Sequence, residues 1–101
     1  MGISYNTQKS EANIQERVLS FEAVRDFVMS SALIVEDCRN IYLERKFQAL
    51  GLIADRLYML VFTPRNNKIH VISLRKANLR ELKRYELADH GRNAGREPRM
   101  G

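Results

Sequence analysis

The chain has 101 residues, 45% of them apolar, which suits one compact domain with one core and excludes two. It has no apolar run near the roughly eighteen residues that cross a bilayer, residues 1–20 lack the order of a secretory signal, and a single cysteine, Cys38, excludes an internal disulfide or a cysteine zinc cluster. A cytoplasmic protein with no membrane association is expected. The net charge of +5 is unevenly placed, with seven Lys/Arg against eight Asp/Glu in residues 1–64 and ten against four in residues 65–101; such a field draws polyanions, nucleic acid foremost, unless it is only a solvated face.

In chain order, residues 3–5 predict a short strand, and Asn6 or Thr7 caps a helix reaching about Glu16. Val18 and Leu19 interrupt it. Ser20 caps a second predicted helix to about Met29, with Phe21, Val24 and Phe27 or Val28 at helical spacing and Leu19 stapled to Val24. From Ala32 the periodicity changes: residues 33–35, 46–53, 57–63 and 69–74 are each of strand length, which predicts an antiparallel meander. Its hairpins turn at 54–56 and 64–68, where asparagine tolerates positive φ. Asn78 with Glu81 three residues on predicts a capped last helix, with Leu79, Leu82 and Tyr85 on one stripe and Gly91 as its C-cap. The expected organisation is one domain over residues 1–90 and a flexible basic tail over 91–101. The fold class is α+β: N-terminal helices, a mostly antiparallel sheet of four to five strands, and a C-terminal helix.

The run from Ile69 to Leu74 delivers Arg75 and Lys76 to a strand end, and a helix carrying Arg80, Lys83 and Arg84 begins almost at once. Such a seam can hold a polyanion. Strict alternation puts Arg75 on the face of Ile69, Val71 and Ser73, and Lys76 on that of His70, Ile72 and Leu74, so the two cations point apart. His70 and His90 have no partner at ligand spacing, so no metal site and no cofactor are expected, and His70 reads as a packing or hydrogen-bonding residue of the sheet. Glu36 and Asp37 face opposite ways along a strand, which argues against shared acid–base work. The chain has no glycine-rich phosphate loop.

A set of fragments follows in fixed order: Tyr5-Asn6, Lys9 and Asn13, Ser20-Phe21-Glu22, Glu44-Arg45-x-Phe47 ahead of Gly51, Thr63-x-Arg65, and Ile72-Ser73-x-Arg75-Lys76-Ala77 closing with Arg84-Tyr85-Glu86. In order and spacing the chain resembles the BrnT family of toxins over residues 3–86. The resemblance implies a RelE-like fold and metal-independent endoribonuclease activity that arrests growth. It also implies a co-encoded BrnA-like antitoxin with a ribbon-helix-helix domain; a heterotetramer with two copies of each chain, and operator DNA bound through the antitoxin, are expected to follow. Two departures stand out. Tyr5-Asn6 replaces the family's Trp-Asp, and Glu16-Arg17-Val18 replaces its Lys-His-Gly. Arginine does not serve as a general base as histidine does, and Val18 lacks the freedom that glycine gives a chain reversal.

Metal-free RNA cleavage needs a base for the 2′-hydroxyl, cations for the phosphorane charge and an acid for the leaving 5′-oxygen. Given the resemblance, Arg65 and Arg75 are the candidate electrostatic stabilisers, Lys76 a candidate base, and Tyr85 a candidate acid or base-stacking ring whose alternative is a core-facing aromatic. Arg17, Arg80, Lys83 and Arg84 are the candidate RNA-binding cations. Three functions are compatible with these residues: a ribonuclease toxin, a catalytically attenuated homologue serving as antitoxin partner and co-repressor, and a non-catalytic basic RNA-binding module.

Overall fold

Asn6 ends the first strand, β1 (Gly2–Tyr5), and starts helix α1 (Thr7–Arg17) by accepting the Lys9 N–H at 3.1 Å. The computed structural model describes residues 2–39 and 43–96, with backbone alone over 89–96. The buried side of α1 is polar and acts as a stitch. Ser10 Oγ accepts the Phe21 N–H at 3.0 Å, and Asn13 Nδ2 donates to the carbonyls of Leu19 and Leu74 at 2.9 and 2.8 Å. Those bonds fix the reversal after α1, where Val18 takes a left-handed φ of 56°.

The second predicted helix is replaced by a 3₁₀ helix over Phe21–Asp26 and a separate 3₁₀ turn over Met29–Ser31. The reason is the spacing itself. Phe21, Val24 and Phe27 stand three apart, so three residues per turn aligns all of them toward the core, whereas an α-helix would fan them out. Phe27 then bridges Ile53, and the Val28 N–H donates to the Leu52 carbonyl, tying the segment to the sheet.

The meander forms as expected from β2 (Leu33–Glu36), β3 (Phe47–Ile53), β4 (Arg56–Arg65) and β5 (Lys68–Lys76), all antiparallel. β1 lies parallel to β5, giving the order β1-β5-β4-β3-β2. The last hairpin is tight because Asn66 and Asn67, at φ 50° and 62°, supply the two left-handed residues that match strand twist.

Strict alternation fails inside β5. Phe62 faces Val71 but Val61 faces Ser73, so Ile72 is an extra residue, a bulge. Beyond it the faces exchange: Ile69, Val71 and Leu74 all enter the core with Phe21, Val24, Phe27, Ala49, Leu60 and Phe62, while His70, Ser73 and Arg75 share the other face. The expected grouping of Arg75 with Ile69 and Val71 is thereby corrected.

That other face is covered at one end only. Leu50, Leu57 and Met59 pack there with Leu33, Ala77 and Tyr85, the last carried by α2 (Leu79–Arg96). The capping pair forms as expected, Glu81 N–H donating to Asn78 Oδ1 at 2.8 Å and Asn78 N–H to Glu81 Oε1 at 3.0 Å. Of the expected stripe Leu79, Leu82 and Tyr85 only Tyr85 turns inward: the half-buried residues are Glu81, Tyr85 and Ala88, while Leu79 and Leu82 are 68% and 37% exposed. An ion pair from Arg75 to Glu81 sets the rotation of the helix. α2 also continues through Gly91 to Arg96, so Gly91 is not its cap and residues 91–96 are helical. A glycine inside a helix costs only about 1 kcal/mol. Beyond Arg96 the expected tail lies outside the described residues.

Candidate active site

Because α2 covers the Met59 end of the sheet, the end formed by the β4–β5 hairpin is left open on the same face. The parallel seat of β1 brings the first turn of α1 alongside it, and the segment leading into β3 closes the far side. Together they frame a cleft of about 300 Å³ lined by Lys9, Leu43, Glu44, Lys46, Thr63, Arg65, His70 and Ile72. Among the described residues, three cations and one carboxylate thus surround a single histidine.

Arg65 ends β4 and forms a two-pronged pair with Glu44, Nε to Oε2 at 3.0 Å and Nη2 to Oε1 at 2.6 Å. Those bonds hold the Glu44 carboxyl below the ordinary carboxylate range. Such a carboxylate is a poor proton acceptor. Thr63, buried beside it, donates its hydroxyl to the Arg45 carbonyl and so fixes the segment that carries Glu44.

His70 lies opposite Thr63 across the β4–β5 ladder and opposite Ser4 across the β1–β5 ladder. Its Nδ1 is 3.0 Å from Ser4 Oγ. Partial burial, Arg65 and Lys9 push the imidazole below its ordinary 6.5, with Glu44 opposing. The ring is therefore mainly neutral near pH 7, the state that can accept a proton.

Of the sequence-predicted site residues, Arg65 alone lines this cleft. Arg75 shares its sheet face but sits opposite Met59, six residues along β4 from Arg65, about 20 Å at the strand rise. There it is engaged by Glu81 at 2.7 and 2.8 Å. Lys76, opposite Tyr58, lies on the other face and is exposed. Tyr85 packs against the Leu50, Leu57 and Met59 cluster and donates its hydroxyl to the Ser31 carbonyl at 3.2 Å, the core-facing alternative. Arg17 donates to Asn13 Oδ1 at 2.8 Å, in the last turn of α1. Arg80, Lys83 and Arg84 stand exposed on one side of α2, three and four residues apart.

Sequence reasoning passes over His70, Lys9, Glu44 and Lys46 as a group. Alternation with Ile69 and Val71 puts His70 on the face opposite the core, and Lys9 and Glu44 each stand in a fragment that resembles the family, but nothing local joins them to His70. Lys9, Glu44 and Lys46 come from segments remote in sequence, brought in by the parallel β1 and by the segment before β3. Among the described residues no helix is long and apolar enough to cross a membrane.

No curated relative matches the chain. Residues 5–81, which contain the Arg65–Glu44 pair, His70 and the strap from Arg75 to Glu81, match the family described as the ribonuclease toxin BrnT of type II toxin–antitoxin systems, and the chain belongs to that family.

Proposed function

We propose that this toxin is a metal-independent endoribonuclease of RelE-like fold that works in the cytoplasm and arrests growth by cleaving RNA. The observation that carries the reading is the open cleft in which Lys9, Lys46 and Arg65 surround His70. A phosphodiester seated there meets cations on three sides, and among the described residues Nη1 of Arg65 remains available after Nε and Nη2 have engaged Glu44. Cations aimed at a phosphorane stabilise charge that grows only in the transition state. Arg80, Lys83 and Arg84 on α2 extend the positive surface and contact the RNA backbone without regard to sequence. Arg75 and Tyr85 serve by holding α2 on the sheet, and Lys76 and Arg17 add charge outside the cleft.

Membership of a type II family implies an antitoxin. We take it to be a BrnA-like ribbon-helix-helix protein that assembles with the toxin as two copies of each and brings the complex to operator DNA. An acidic or apolar segment laid over the cleft is the simplest block, because it opposes the charge that attracts RNA.

Induction of the chain alone in a bacterial host, with primer extension on total RNA, tests the reading. Growth arrest with discrete cleavage ends is expected, and purified protein should cut RNA in EDTA to leave 2′,3′-cyclic phosphates. Arg65→Ala should lower the rate roughly 10²- to 10³-fold. Cleavage abolished by EDTA would overturn metal independence. A second reading, an attenuated homologue acting as antitoxin partner and co-repressor, is favoured by the pairing of Arg65 with Glu44 and by Arg17 standing where the family carries histidine. Operator repression with the antitoxin, without growth arrest, would select it.

A further inference from the structure

We propose that His70 is the general base of this ribonuclease, taking the 2′-hydroxyl proton on Nε2 while Ser4 holds the ring by Nδ1. The proposal rests on the ribonuclease reading above and adds to it the group that starts the reaction.

Three observations lead to it. His70 lies on the open face of the sheet, in the cleft that contains Arg65, and among the described residues it is the only imidazole lining it. Its Nδ1 lies 3.0 Å from Ser4 Oγ, on a neighbouring strand in register, so the ring is oriented by backbone pairing. With the Nδ1 proton donated to Ser4, the lone pair of Nε2 is presented to the cleft. The charged groups around it are Lys9 from α1, Glu44 and Lys46 from the segment before β3, and Arg65 from β4. Partial burial, Arg65 and Lys9 favour the neutral ring that the step requires, against the opposing pull of Glu44. The competing groups are poorly suited. Glu44 is held as a weakly basic carboxylate by Arg65, Tyr85 is packed under α2, and Lys76 is on the opposite face of the sheet.

In the step, Nε2 takes the proton as the 2′-oxygen attacks the adjacent phosphorus. The P–O2′ bond forms, the P–O5′ bond breaks, and the charge gathering on the non-bridging oxygens falls against Arg65 and Lys46. The departing 5′-oxygen takes a proton from water in the open cleft, and the imidazolium returns its proton to solvent. The products are a 2′,3′-cyclic phosphate and a 5′-hydroxyl, with no redox change and no further reactant.

The test is single-turnover cleavage of a labelled RNA oligonucleotide in EDTA by the full chain, from pH 4.5 to 9, with binding measured on the same oligonucleotide carrying a 2′-deoxy sugar at the cut site. The wild type should show an acid limb set by a group titrating below the ordinary 6.5. His70→Gln should lose that limb and about 10²- to 10⁴-fold in rate, with affinity for the 2′-deoxy oligonucleotide unchanged within about twofold, a margin small beside the expected rate loss. Should His70→Gln fail to fold, nitrogen-15 spectra of wild-type His70 decide the matter: the Nδ1–H tautomer and a titration midpoint equal to the kinetic one are expected. A wild type that cleaves while His70→Gln keeps its rate and pH profile overturns the proposal and leaves the ribonuclease reading standing, as does an Nε2–H tautomer. A wild type that leaves RNA intact at every pH overturns both.

Discussion

Arg75 of β5 grips Glu81 of α2 through two parallel hydrogen bonds of 2.8 and 2.7 Å, and the same carboxylate accepts the Asn78 N–H that starts the helix. One side chain thus joins the strand end, the helix cap and the rotation of α2. Arg75→Ala should lower stability by about 1.5–3 kcal/mol, the worth of hydrogen bonds to a charged group. Glu81 titrates below its ordinary 4.5 because of Arg75, so the bond contributes stability that is complete above that value and is lost as pH falls through the lower folded one. Denaturant unfolding from pH 7 to 2.5 should show a shallower acid loss in Arg75→Ala. Equal acid slopes in the two proteins would show that this pair does not stabilise the fold.

Val18 is a β-branched residue held at φ 56°, ψ 44° and 87% exposed, with nothing in the core to offset the strain. Val18→Gly should raise stability by about 1 kcal/mol, since relief of the left-handed penalty exceeds glycine's extra chain entropy. The check is a higher melting temperature with unchanged RNA affinity. No rise would mean that the reversal after α1 is not strained.

Gly51 is required by close approach. A Cβ there would lie 2.5 Å from Cζ and 2.8 Å from Cε1 of the buried Phe27 ring, and 3.1 Å from Cβ of Ala32. Gly51→Ala should cost about 1–3 kcal/mol through overpacking, read as a drop in the denaturant midpoint. Adding Phe27→Leu should recover part of the loss, and failure to do so would place the clash elsewhere.

The cations of α2 offer a test that separates binding from catalysis. Replacing Arg80, Lys83 and Arg84 with alanine should weaken RNA binding on all sequences and flatten the salt dependence by up to about 0.7 log units for each single-strand phosphate no longer neutralised. All three are exposed, so the fold should persist. An unchanged salt slope would mark this helix side as a solvated surface.

What the sequence discloses here is the local part of the structure. The strands of the meander, the Asn66-Asn67 turn and the Asn78–Glu81 cap each rest on residues at most a few positions apart, and each appears where expected. Features set by distant partners do not. Ser4 and His70 are 66 positions apart, so the parallel seat of β1 leaves no local trace. The leucines of α2 suggest one buried stripe, but the grip of Arg75 turns another toward the sheet. The site divides in the same way. Arg65, like Lys9 and Glu44, stands in a fragment that resembles the family, whereas their convergence on His70 depends on three segments that only the folded chain assembles.

The bulge gives β5 one residue more than β4 needs to pair with it, and that surplus sits at Ile72, on the wall of the cleft. Removing Ile72 alone would close the ladder into a regular one, with Val71 still opposite Phe62 and Ser73 still opposite Val61. Leu74 would stay in the core and Arg75 would keep its reach to Glu81, while the ribbon beside His70 lost the bend that a bulge imparts. An engineer wishing to reshape the cleft without detaching α2 therefore has a single deletion to make, because the length of this strand and the docking of the helix are set independently of each other.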